Sequence, residues 1–217
     1  MSWYNYTPPT WSSTELKIIK TLSTPYKIQQ FLNSIEYSAE SRYRCPRTVL
    51  KDKKAHCFDG AVFAAAMLRQ IGFPPLIVDM QSVRDDDHVI AIFKKNNRFG
   101  AIAKSNFTGL RFREPVYLTL RELVMSYFES FYNMDKEKTL RQYTRAVKLS
   151  LYDNKNWMFE DEPMEEIGLQ LSYVKIYKLF TEKMIRAFHP VDDRTFKAGM
   201  LGANKKGIYN PSKKKIQ

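Results

Sequence analysis

The chain has 217 residues, enough for one globular unit, and its 44% hydrophobic content supplies a sizeable core and excludes a disordered chain. Lys and Arg number 35 against 23 Asp and Glu, a net charge of +12, and five of the lysines fall in the last fifteen residues, which leaves about +7 on the body. That excess aids solubility without demanding nucleic acid. No apolar run approaches the roughly twenty residues of a membrane span, and the first residues lack the basic-then-apolar plan of a signal peptide. Two cysteines, Cys45 and Cys57, are too few for a disulfide framework. A soluble cytoplasmic protein is expected.

The first ten residues, aromatic and Pro-rich, are expected to lie extended against the body. Ser13-Thr14-Glu15 opens a first helix, and Thr24-Pro25 gives an N-cap and a first-turn proline to a second (Ile28, Phe31, Leu32, Ile35). Residues 38–54 read as loop. From Cys57 to Ile71 the residues are apolar nearly all round a helix, which places that helix inside the domain. Gly72 stops it. Leu76–Met80, His88–Phe93 and Arg98–Ala103 read as strands, the first two joined by an acidic turn and the last two by Asn96-Asn97. Residues 116–132, 139–151 and 162–187 carry helical spacing. Residues 204–217 read as a flexible basic tail that buries little, beyond a single domain over 1–203.

A cysteine in the first turn of a buried helix is chemically loaded, because amides and the helix dipole favour its thiolate. It becomes a nucleophile if an imidazole is within reach. His88 heads the second strand, 31 residues on, and by alternation shares a face with Ile90 and Ile92, so that it can point at the helix packed over that face. The competing reading makes Cys57 an inert small hydrophobe and His88 a strand-end residue. His56 reads as a loop residue near the site mouth and Cys45 as a free thiol. The run Asp85-Asp86-Asp87 reads as a solvated turn, since no second cluster has metal-ligand spacing. Arg111 and Arg113 alternate with aromatics, but without a recognised motif nucleic-acid binding is disfavoured. Only eight glycines and no Gly-rich loop argue against phosphate-cradling folds.

The order of elements, with Ala55-His56-Cys57-Phe58-Asp59-Gly60-Ala61, Ile77-Val78-Asp79, Asp87-His88-Val89-Ile90-Ala91-Ile92 and Phe99-Gly100-Ala101-Ile102, resembles the transglutaminase-like branch of the papain-like cysteine hydrolases over about residues 45–110. The resemblance implies an α+β fold, with the Cys-bearing helix on a small antiparallel sheet from residues 76–103 and extra helices at both ends. It implies acyl transfer on a peptide or protein amide by Cys57 and His88, with no metal or organic cofactor. The family's acid after the last strand is replaced here by Ala103-Lys104-Ser105-Asn106, so Asn106, or else Ser105, is the expected orienting residue. The alternative is an inactive transglutaminase-like scaffold that binds a protein partner. Oligomeric state has no signal in the sequence.

Overall fold

The computed structural model describes residues 9–209. Helix α1 (Ser13–Thr21) opens on a capping box, in which the Ser12 hydroxyl accepts from the Glu15 amide and the Glu15 carboxylate from the Ser12 amide. Helix α2 (Pro25–Ser34) starts as expected, with Thr24 capping Lys27 and Pro25 in the first turn. The stretch read as loop contains β1 (Glu36–Tyr37), α3 (Pro46–Asp52) and β2 (Lys54–Ala55), with β1 and β2 paired in parallel.

Helix α4 (Cys57–Gln70) follows at once, and every residue from Phe58 to Leu68 is buried. Its C-terminus is closed by Phe73 N–H on Leu68 C=O and Gly72 N–H on Arg69 C=O, with Gly72 at φ +89°. That pairing requires a left-handed residue, which glycine adopts without steric cost. At the other end a Cβ on Gly60 would collide with the Lys104 stem, so glycine lets this helix approach the sheet.

The main sheet has β3 (Leu76–Ser82), β4 (His88–Lys95), β5 (Arg98–Ile102), β6 (Arg113–Tyr117), β7 (Leu140–Thr144), β8 (Val147–Lys148) and β9 (Ile176–Lys178). The order is β6-β5-β4-β3-β7-β9, with β8 also on β3, antiparallel throughout. Asn96 and Asn97 both have positive φ and join Lys95 to Arg98, the two-residue hairpin expected from the sequence. The three central strands were legible. The sheet extends well beyond them.

Three helical expectations give way here. Within 116–132, residues to Tyr117 continue edge strand β6, and only α5 (Leu120–Met125) and a 3-10 turn at Phe128–Ser130 are helical. Pro115 is tolerated on β6 because an edge strand can dispense with one amide. Residues 139–151 hold β7, β8 and the start of a 3-10 helix (Leu149–Lys155), since Tyr143 and Thr144 suit a strand face better than a helix. Residues 162–187 divide into α6 (Pro163–Tyr173), β9 and α7 (Glu182–Arg186), with Val174 already extended. Helix α8 (Asp193–Gly199) completes the set.

Both faces of the sheet are covered. Ile77, Val89, Ala91, Phe93 and Ile102 pack with α2, α4, α6 and Trp157 on one face. Val78, Met80, Ile90, Ile92, Leu110, Leu123, Tyr127 and Phe131 build the core on the other. Two-sided burial explains why β3 and β4 read as continuous apolar runs instead of alternating ones. Arg113 stacks on Tyr127 at 3.9 Å and bonds Ser126 and Gly109, so it is a structural arginine. Among the described residues no helix is long and apolar enough to cross a membrane. The expectation for the first ten residues falls mostly outside the described chain, as does the tail beyond residue 209. Residues 204–209, the first part of that expected tail, pack on the body, with a 3-10 turn at Lys205–Gly207.

Candidate active site

A cavity of about 410 Å³ opens where α4 begins and β4 begins, bordered by Tyr37, Cys57, Asp79, His88, Asn106 and the segment 206–209. Its size suits a small ligand or a few residues of peptide. The helix start is held by an interlocked cap. His56 Nδ1 accepts from the Asp59 amide (3.5 Å), and Asp59 accepts from the amides of His56 (3.3 Å) and Arg44 (2.8 Å). Burial and the Arg44 charge bring His56 down to about 4, so its ring is neutral and can act as the acceptor a cap needs. His56 is therefore the N-cap of α4, a role the sequence did not reveal because histidine is an uncommon cap.

Cys57 occupies the first helical position, half-buried, with its thiol donating to the Asp87 carbonyl at 3.7 Å. Burial pushes this thiol up to about 12. The Val89 amide pulls the other way, and the carboxylates of Asp86, Asp79 and Asp59 reinforce the rise. Desolvation and three acids therefore oppose the thiolate that the helix start favours. Cys45, capping α3 in the core with its sulfur 3.4 Å from Thr48 Oγ1, is likewise pushed up to about 11.

His88 does share a face with Ile90, as alternation requires, and Met80 sits opposite it. That face is turned away from α4, which packs on Val89 and Ala91, so the expectation that His88 points at the buried helix is corrected. The residues meet at one cavity because each begins its element at the same end of the sheet. Among the described residues no hydrogen bond joins Cys57 to His88. His88 Nε2 instead lies 2.8 Å from the Leu110 carbonyl, with the ring edge-on to Phe131. A carbonyl oxygen only accepts, so Nε2 carries the proton and Nδ1 keeps the lone pair. Burial brings this ring down to about 4, so it is neutral at pH 7.

Asn106 lines the same cavity but is turned to other partners. Its Nδ2 donates to the carbonyls of Asn204 (2.9 Å) and Gly207 (3.2 Å), and its Oδ1 accepts from the Asn204 amide (2.7 Å). Among the described residues no hydrogen bond joins Asn106 to His88, whose Nε2 faces the Leu110 carbonyl instead. Ser105 accepts from the Phe107 amide and is also not bonded to His88. Lys104 donates to the carbonyls of Leu32 and Ile35 at the end of α2, and burial brings it down to about 8. Of the acidic turn, Asp85 accepts from Thr139 and Asp87 from Ser82, bonds that brace the β3–β4 connection.

A family model described as the transglutaminase-like superfamily matches residues 14–96. Those residues, less than half of the chain, are what is similar to a transglutaminase-like core. The core runs from α1 to the β4–β5 turn, so it includes Cys57 and His88 and leaves Asn106 and Leu110 outside the matched segment. No curated protein sequence matches the chain. Among solved structures, LapG of Legionella pneumophila is 16% identical with a TM-score of 0.34, the similarity covering 41% of this chain and 59% of that one. EGTA-treated LapG of Legionella pneumophila is 13% identical with a TM-score of 0.39, over 70% of this chain and 84% of that one. The chain thus spans 59% of the length of the first of these structures.

Proposed function

We propose that the transglutaminase-like core is a cysteine protease-like acyl-transfer site acting on a peptide or protein amide, with Cys57 as nucleophile and His88 as general base. The observation that carries this reading is the His88 tautomer. With Nε2–H tied to Leu110 C=O, the basic Nδ1 belongs to a ring that borders the same cavity as the Cys57 sulfur. A backbone carbonyl can orient an imidazole as an Asn or Asp side chain does, which offsets the absent acid.

Thiol and imidazole are both neutral at rest, so the proton moves as the substrate reacts. Sγ attacks the amide carbon while its proton passes to Nδ1, and the carbonyl oxygen takes the negative charge. The Cys57 amide, at the helix start, is one donor for that oxyanion. His88 then returns the proton to the leaving amine, and water or an acceptor amine releases the acyl group from the thioester. Each step needs only the residues of this cavity.

A second reading, a non-catalytic scaffold, is favoured by the carboxylates around Cys57 and by the engagement of Asn106 with the chain's own segment 204–207. One experiment separates the two. The protein is incubated with a peptide mixture and a fluorescent primary amine, and cleaved or amine-bearing products are counted by mass spectrometry. Cys57→Ser and His88→Ala should each reduce product formation by roughly a hundredfold or more. Product formation by the unaltered protein no greater than by Cys57→Ser leaves the scaffold reading in place.

A further inference from the structure

We propose that Tyr37 and Asn106, at the border of the cavity, form the seat of a peptide turn in which a basic residue precedes a glycine, and that the chain's own Asn204–Gly207 occupies this seat as an internal ligand. Reading the seat as a substrate cleft rests on the function proposed above. Recognition here runs through backbone groups. Asn106 reads one amide and two carbonyls of the segment, those of Asn204 and Gly207, while Asn204 Nδ2 donates to the Tyr37 carbonyl at 3.2 Å. A side-chain amide that pairs with main-chain groups accepts many sequences, so selection falls to shape and charge.

Shape is set at Gly207. A Cβ there would lie 2.8 Å from the Tyr37 ring, so only glycine fits without displacing that ring. Charge is set at Lys206, which borders the cavity together with Asp79, Asp85, Asp86 and Asp87. Lys206 is exposed, and a cation at the rim of an acid-lined recess is favoured over an anion there. Ile208 and Tyr209 carry the segment onward along the same wall. Seated in this way, the segment narrows access to Cys57.

The test follows Cys57 alkylation by iodoacetamide at pH 9 in the full chain, with Cys45 as internal control because it is sealed in the core. Gly207→Val should unseat the segment and speed Cys57 modification about fivefold or more while Cys45 stays slow, since access follows the population of the unseated state. A synthetic peptide with the sequence of residues 204–217 should restore the slow rate, and the same peptide carrying Gly207→Val should not. If Gly207→Val also exposes Cys45, the fold has opened, and Asn204→Ala, which removes the bond to Tyr37 O, takes its place with the same readout. An unchanged Cys57 rate in the folded variant, or an added peptide that fails to slow it, overturns the proposal. Alkylation reports access and not turnover. A chain that passes this test yet forms no product loses the catalytic reading and keeps the peptide seat.

Discussion

Arg44→Met should cost about 3–5 kcal/mol of stability at pH 7.5, the scale expected when a buried ion pair loses one partner. Arg44 is 2% exposed and reaches Glu40 (2.5 Å), Asp52 (3.0 Å), the Ser38 hydroxyl (3.2 Å) and Asp59 (3.7 Å). Glu40 and Asp52 can turn to water when the guanidinium goes. Asp59 cannot, since its side chain is fully buried. Burial already pushes Asp59 up to about 7, even with the amides of Arg44 and His56 bonded to it. Its folded value lies above the unfolded one near 3.8, so the protonated form favours folding and that contribution fades as pH rises through about 7. The loss in Arg44→Met should therefore be larger at pH 8 than at pH 5. Urea melts at both values check this, and Arg44→Met with Asp59→Asn should recover part of the stability by removing the stranded carboxylate. A loss under about 1 kcal/mol at pH 8 would mean that the α4 cap stands without the ion pair.

This cap also marks the limit of what the sequence could disclose. Helix α4 was legible because apolar residues surround it on every side, a pattern only an interior helix can use. Its first residue was legible as well, since Cys57 begins the apolar run. The partners that hold that residue in place were not. His56 caps through an imidazole, and Arg44 and Asp59 meet across fifteen positions. The partner of the His88 ring was hidden for a plainer reason: it is the Leu110 carbonyl, and a backbone atom leaves no trace in residue identity. Nor could Asn106 have been matched to Asn204, because nothing local links residues 98 apart.

The later strands were lost to an ambiguity of period. Leu140, Tyr143 and Val147 are spaced three and four apart, as on one face of a helix, yet they stand on β7 and β8 and reach their neighbours through strand pairing. Short apolar segments satisfy both templates, and tertiary contacts decide between them. On β4 the alternation of side chains was correct, but the face bearing the helix was not. Both faces of that strand are apolar, so neither announces which one meets α4.

Cys57 should be alkylated at pH 7 roughly a thousandfold more slowly than a free cysteine, because a thiol pushed up to about 12 holds that much less thiolate than one near 8.5. The rate should climb about tenfold per pH unit across pH 7–10, with no plateau in that range, as the reactive species is the thiolate alone. His88→Ala should leave this resting rate within about twofold, since a neutral ring brings no charge to the sulfur. The same substitution should stop product formation, because turnover needs a base at the moment of attack. That split sets this site apart from a preformed thiolate–imidazolium pair, in which losing the histidine slows alkylation and turnover together. In urea the thiol should react at the free-cysteine rate, which isolates burial as the cause of its inertness. A rate near that of free cysteine, flat from pH 6 to 8 and lowered by His88→Ala, would instead establish the ion pair. The carboxylates of Asp86, Asp79 and Asp59 would then have to be too well solvated to oppose a charge on the Cys57 sulfur.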